Sequence, residues 1–272
     1  MDQLTRAEHE GAALHVLEDG EPGAPTLLLI HGLGACTAWW DPVVPTLARS
    51  HHVIRVDLLG HGASTSPDTG YEISAQARRI GAVLDRLGVG RVAVAVGHST
   101  GGNVATALAE ERPELVAALA LIDTGPNMAA DTSDNALSRL LFRPFPGALL
   151  WRLFTSAIVR KSLSSAFTRP VKPPKALAEG ARGMTHHALA STADASMEYL
   201  FDRPIPERLR RLGLPVLVIF GSADKRWSPS SADAYRNVPD ARVEVLPGVG
   251  HTPMYEDPRR TCELLTEFAA AP

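Results

Sequence analysis

The strongest constraint on this chain is a set of six short, almost uninterrupted apolar runs: Thr26 to Ile30, His52 to Val56, Arg91 to Val96, Leu119 to Ile122, Val216 to Phe220 and Arg242 to Leu246. A strand with one wet face would alternate. Runs this short and this apolar read instead as strands covered on both faces, the signature of a parallel sheet. Parallel neighbours need crossover connections, and helical patterns stand between the runs. Ile80, Val83, Leu84 and Leu87 recur at helical spacing, with Gly88 placed to end that helix. The last helix takes Asp257 as N-cap and Pro258 at its first position, and sets Leu264, Leu265 and Phe268 along one face. Ala13 to Glu18 alternates and ends in Asp19-Gly20, so an antiparallel edge strand or hairpin is expected, and the sheet is mixed at one end. A length of 272 residues at 45% hydrophobic supplies one large core domain carrying an insertion.

The insertion falls between about Gly125 and Pro206, where strong strand patterns stop and Pro, Phe, Leu and Arg dominate. It reads as a helical cap over residues 126–205, with residues 1–125 and 206–272 forming the core domain. Leu140, Leu141, Phe142, Phe145, Leu149, Leu150, Trp151 and Phe154 are more apolar surface than a short helix hides on one face. Taken singly, each is expected to dock the cap; as a group they favour an apolar pocket. From Arg139 to Arg182 the basic residues Arg139, Arg143, Arg152, Arg160, Lys161, Arg169, Lys172, Lys175 and Arg182 face Glu179 alone. That run is either a solvated face or a dock for an anionic substrate or acidic carrier protein.

Gly97-His98-Ser99-Thr100-Gly101-Gly102 joins a buried strand to a helical stretch, Asn103 to Glu111. A serine on so sharp a turn is presented to solvent, and side chains at Gly97 or Gly101 would strike neighbouring backbone. The helix start behind it leaves the Thr100 amide free to meet an oxyanion. Serine is a weak nucleophile at neutral pH and needs a base oriented by a carboxylate. His251, in Gly248-Val249-Gly250-His251-Thr252-Pro253 after the last strand, is the candidate base. The adjacent pairs His51-His52 and His186-His187 point apart and are expected at the surface, while His31, His61 and His98 read as hydrogen-bonding scaffold. For the carboxylate, Asp224 just past Val216 to Phe220 is favoured by chain order, with Asp123 as the alternative; Asp57 is expected to brace a turn. His31-Gly32-Leu33-Gly34 supplies a second oxyanion donor, the Leu33 amide. Cys36, Trp39 and Trp40 either line the pocket or pack the helix beside them.

A net charge of −3 and a pI near 6.4 give no basic field for nucleic acid, so a small molecule is the expected partner. Met1 to Arg6 lacks a leader pattern, and the longest apolar run, Leu115 to Ile122, is too short to span a bilayer. Cys36 and Cys262 are too few for a disulfide framework and fit a reducing cytoplasm. No cofactor is required by this chemistry.

The motifs His31-Gly32-Leu33-Gly34, Asp57-Leu58-Leu59-Gly60-His61-Gly62-Ala63-Ser64, the Ser99 elbow, Gly221 to Asp224 and Gly250-His251-Thr252-Pro253 resemble, in order and spacing, the α/β-hydrolase superfamily, in its capped esterase, lipase and C–C hydrolase branch. The resemblance implies an α/β fold: a mostly parallel eight-stranded sheet flanked by helices, with the cap inserted after strand 6. It also implies a Ser99, Asp224 and His251 triad and a Leu33 and Thr100 oxyanion hole. Leu33, Trp39, Phe142, Phe145, Trp151 and Phe154 are the expected substrate-contacting side chains. Serine at position 99 excludes the dehalogenases of this fold, which carry aspartate there. The expected activity is hydrolysis of a carboxylic ester or thioester of a hydrophobic acyl substrate. The alternatives are a tailoring reaction of elimination, cyclisation or thioester release, and a ligand receptor.

Overall fold

The computed structural model describes residues 5–9, 12–133, 136–164, 167–171 and 174–270. Its strands are β1 (Thr5–His9), β2 (Ala12–Asp19), β3 (Thr26–Ile30), β4 (His52–Val56), β5 (Val94–His98), β6 (Leu119–Ile122), β7 (Val216–Gly221) and β8 (Ala241–Leu246). They form one sheet in the order β1-β2-β4-β3-β5-β6-β7-β8. β3 to β8 are parallel, and β1 and β2 are added antiparallel at one edge; β3 to β7 are buried along their whole length, whereas β8, read from the sequence as covered on both faces, is only partly buried because it forms the opposite edge of the sheet.

Period-2 alternation splits the core across the sheet. Leu28 and Ile30 face one side with Ile54, Val56, Leu84, Val104 and Leu108. Leu27 and Leu29 face the other with Val53, Trp40, Leu47, Leu264 and Leu265. Full burial of each such side chain contributes about 1.5–3 kcal/mol, so both faces of the central strands hold the fold.

Three departures from the sequence reading have local causes. The strand expected from Arg91 begins at Val94 and runs on to His98, carrying the chain directly into the turn at Ser99. β1, whose sequence Thr-Arg-Ala-Glu-His has no apolar pattern, pairs with β2 from Thr5↔Val16 to His9↔Ala12; a polar composition suits an edge strand. His51 and His52 are buried rather than at the surface, because β4 lies between β2 and β3 and its start is covered. His52 Nε2 meets Glu18 Oε2 at 2.9 Å.

Between β6 and β7 lie helices Ala136–Phe142, Pro144–Leu153, Ser156–Ser164, Lys175–Gly183, His186–Asp202 and Ile205–Leu212. Trp151, Met184, Ala188, Leu189 and Leu200 from this segment join the core cluster beneath it. Among the described residues no helix is long and apolar enough to cross a membrane.

Candidate active site

Ser99 is the single residue between β5 and helix Thr100–Glu111, with φ 52° and ψ −121°, a conformation costly for a residue with a side chain. Neighbouring backbone pins it there. Its N–H donates to the Ile122 carbonyl at 2.9 Å, and its carbonyl accepts from the Gly102 N–H at 2.9 Å and Thr124 Oγ1 at 3.2 Å. A Cβ on Gly97 would overlap the Gly101 carbonyl, and one on Gly101 would overlap the Ile30 carbonyl, so both glycines are sterically required. Thr100 opens the helix, so its N–H has no acceptor within it. Ser99 Oγ itself hydrogen-bonds to no described residue, and such bonds commonly tighten only once substrate is bound.

Asp224 and His251 meet at the ends of neighbouring strands. His251 Nδ1 donates to Asp224 Oδ2 at 2.8 Å, and both residues are buried. With a carboxylate at Nδ1, that nitrogen carries the proton and Nε2 keeps a lone pair. Asp224 Oδ1 is held by the amides of Arg226 at 2.7 Å and Trp227 at 3.3 Å. Burial pushes Asp224 up, but the His251 charge and hydrogen bond, with the Arg226 amide, outweigh it and hold Asp224 below the ordinary carboxylate range. The loops are sewn together by Ser222 N–H to the Leu246 carbonyl at 3.0 Å and Ala223 N–H to the Val249 carbonyl at 2.9 Å. A Cβ on Gly221 would overlap the Gly250 carbonyl, so the approach is as close as backbone allows. His98, the neighbour of Ser99, donates from Nε2 to the His251 carbonyl at 2.8 Å, which ties the His251 loop to the serine turn. Burial and then His251 bring His98 down to about 3, so it stays neutral.

The family model for the α/β-hydrolase fold matches residues 25–258. The chain belongs to the α/β-hydrolase family. An uncharacterized protein of Mycobacterium tuberculosis is 30% identical over 261 residues, covering 90% of this chain and 75% of its own. The mouse monoacylglycerol lipase is 25% identical over 281 residues, covering 99% of this α/β-hydrolase and 83% of the lipase. The crystal structure of an E-2-(acetamidomethylene)succinate hydrolase superposes with a TM-score of 0.78 at 26% identity, covering 100% of both chains.

Of the other expected site residues in this α/β-hydrolase, Leu33 is half-buried against the main core cluster, and among described residues its amide has no protein acceptor. Its loop is set by His31, whose Nδ1 donates to the Gly32 carbonyl at 2.8 Å while Nε2 accepts the Leu58 N–H at 3.0 Å. Burial lowers the pKa of His31 and brings His61 down to about 3, so both act as neutral scaffold. Asp57 braces two turns, with Oδ1 accepting from Thr37 N–H at 2.6 Å and Oδ2 from Ala63 N–H at 3.0 Å and His15 Nδ1 at 2.7 Å.

Trp39 is buried and stacks on His98 and on Phe167 at 6.2 and 6.1 Å, joining the segment between β6 and β7 to the serine turn. Trp151 is buried and donates from Nε1 to the Met184 carbonyl at 3.0 Å; Phe142 and Phe154 are half-buried beside the core cluster. Phe145 stands on the outside at 79% exposed, with Leu149 and Leu153 along the same helix. Its extended backbone, φ −133° and ψ 128°, interrupts the helix there. Arg143, Arg152, Arg160, Lys161 and Lys175 are exposed; Lys172 lies outside the described residues. Cys36 and Cys262 are buried and unpaired.

The sequence reading missed Glu256. It is buried and accepts five hydrogen bonds: Oε2 from the Thr168 and Arg169 amides, between β6 and β7, at 2.8 and 2.7 Å, Oε1 from Gly250 N–H at 3.1 Å, Thr252 N–H at 3.4 Å and Thr252 Oγ1 at 3.0 Å. The residues on either side of His251 are thus held by the same carboxylate that holds Thr168 and Arg169 in the segment between β6 and β7. Thr168 Oγ1 also donates to the Ala223 carbonyl at 3.0 Å, next to Asp224. The only local hint is a threonine followed by Pro253 and, at Glu256, an acid, a pattern of helix starts.

Proposed function

We propose that this α/β-hydrolase cleaves a carboxylic ester or thioester of a hydrophobic small molecule through an acyl-enzyme on Ser99. The observation that carries the reading is the buried Asp224–His251 hydrogen bond, tied through His98 to the strained turn that presents Ser99. His251 Nε2 takes the hydroxyl proton as Ser99 Oγ bonds to the acyl carbon. The Leu33 and Thr100 amides receive the oxyanion. His251 then returns the proton to the departing alcohol or thiol, and water repeats the sequence to release the acid. Asp224 stays ionised throughout and stabilises the imidazolium. No cofactor enters any step.

The half-buried Leu141, Phe142 and Phe154 support an apolar acyl group under a cap spanning 126–205, and the lipase among the relatives acts on a substrate of that kind. Buried, unpaired Cys36 and Cys262 suit a cytoplasmic setting. The test is turnover of p-nitrophenyl esters with fluorophosphonate labelling. Ser99→Ala should lose about 10⁴-fold or more in kcat and all labelling, because triad members act as a unit. Retained turnover would overturn the covalent mechanism, and acetyl esters cleaved as well as longer ones would overturn the apolar acyl site.

A second reading rests on the exposed Arg143, Arg152, Arg160, Lys161 and Lys175: the acyl group arrives on an acidic carrier protein and is released from its thioester. Carrier-linked turnover should then weaken with salt and with charge reversal at those positions, and free-ester turnover should not.

A further inference from the structure

Two neighbouring strand ends each deliver a carboxylate to one spot. β6 and β7 pair with Ile122 opposite Ile219, so Asp123, directly after β6, lies beside the loop that carries Asp224. Side-chain ligand atoms of Asp123, Asp224 and His251 lie within 4.8 Å of one another. Asp123 is fully buried and firmly placed. Its N–H donates to the Ile219 carbonyl at 2.9 Å, Oδ1 accepts the Gly221 N–H at 2.9 Å, and its φ of 44° is a conformation few residues tolerate. Its second oxygen, Oδ2, is buried and receives no N–H or O–H from any described residue.

A buried acceptor without a donor is costly, and an ionised one far more so. The charged groups facing Asp123 are Asp224 from the loop after β7, His251 from the loop after β8 and Glu256 from helix Pro253–Glu256. Two of these are acids, and the single base is already bonded to Asp224. One change removes the conflict: a proton on Asp123 turns the unpaired oxygen into a donor and makes the second carboxylate its acceptor.

We propose that Asp123 is a positioning residue for the reaction described above, a neutral carboxylic acid whose O–H donates to Asp224 and holds that carboxylate in place against His251 Nδ1. The inference rests on that reading of Asp224 and His251. Burial first, and the Asp224 charge second, raise the Asp123 carboxyl well above its ordinary range, in agreement with this assignment.

The test compares Asp123→Asn, which keeps both an acceptor for Gly221 and a neutral donor for Asp224, with Asp123→Ala, which keeps neither. Asp123→Ala should lower kcat about ten- to a hundredfold, the loss expected for one hydrogen bond to a charged group, with KM within about threefold. Without the donor, Asp224 pulls harder on the imidazolium, so the acidic limb of the kcat/KM profile should move to higher pH. Asp123→Asn should recover most of the rate and return the limb toward its original position.

Infrared spectroscopy reads the proton without turnover. The wild-type minus Asp123→Asn spectrum at pH 7 should contain the C=O stretch of a protonated carboxyl, and the same band should appear against a Ser99→Ala background. Absence of the band, or an Asn variant no better than Ala in rate and pH profile, overturns the inference. If Ala unfolds, the band alone decides. A fully active Ser99→Ala enzyme that keeps the band would instead overturn the serine mechanism.

Discussion

Replacing Glu256 by glutamine tests whether one carboxylate really joins the cap to the base loop. The carboxylate serves donors on both sides; a carboxamide has one acceptor oxygen and must aim its NH₂ at the other set of N–H groups. The two sets differ in exposure. Gly250 and Thr252 are buried, while Thr168 is exposed and Arg169 partly so, which allows their amides to be hydrated. The glutamine oxygen should therefore stay with Gly250 and Thr252, and the bonds at 2.8 and 2.7 Å to Thr168 and Arg169 should break. Hydrogen bonds to charged groups contribute about 1.5–3 kcal/mol each. Partial rehydration and the surviving Arg169 contacts to the Glu256 carbonyl and Asp257 at 3.0 and 2.9 Å place the net cost near the lower bound of the pair, about 3 kcal/mol. The assay is urea unfolding at pH 7, together with limited proteolysis between Phe167 and Lys175, where nicking should accelerate. Because the base loop keeps its acceptor, fluorophosphonate labelling of Ser99 should slow less than about tenfold. A midpoint shift worth under about 1 kcal/mol would refute the shared-carboxylate reasoning, as would lost labelling with an intact cap seam.

Three further outcomes follow from the same geometry. Asp224→Asn should cost about 10⁴ in kcat, because the Arg226 and Trp227 amides keep the asparagine oxygen at the Oδ1 position and turn its NH₂ toward His251 Nδ1, forcing the proton onto Nε2; a variant with a tenth of wild-type kcat would contradict this. His61 and His98 titrate near 3 in the fold, so below the ordinary histidine value the unfolded chain binds protons that the native one refuses. Stability is thus lost as pH falls from 7 to 5, about 2 kcal/mol for each histidine, and a His98→Gln variant with an unchanged stability slope would count against it. Gly101→Ala should abolish Ser99 labelling by displacing the turn from the Ile30 carbonyl; the check is labelling of a variant that retains its far-ultraviolet circular dichroism.

How much of this was legible in the sequence depends on the range of the physics. Five of the six parallel strands are buried from end to end, which leaves their runs almost wholly apolar, and the sixth, β8, carries a similar run although it lies at an edge and is only partly buried. The serine turn announces itself because only glycine fits at 97 and 101. β1 has no apolar signature, and its pairing with β2 uses backbone groups that any sequence carries. The cap divides the same way. Trp151 faces inward and Phe145, Leu149 and Leu153 outward on one helix whose single polar residue is Arg152, too little for a pattern of polar and apolar residues to distinguish the two sides. Glu256 draws donors from 88 positions away, a distance over which spacing carries no information.

Four buried carboxylates, Asp57, Asp123, Asp224 and Glu256, differ in role although burial confronts each with the same problem. The number and kind of donors decides the outcome. Asp57 and Glu256 accept chiefly from backbone amides on segments distant in sequence, so their charges are satisfied by fixed partners and serve to hold loops. Asp224 also gives one oxygen to amides and the other to an imidazole, as Asp57 does with His15, but its imidazole, His251, is tied through His98 to the turn that carries Ser99, and there the proposed reaction draws on a structural solution. Asp123 has one amide and, among the described residues, no donor for its other oxygen, and in the proposal above it meets the same problem by keeping a proton beside Asp224. The chemistry of this site therefore depends less on which residues are acidic than on which acid is left one donor short, and next to what.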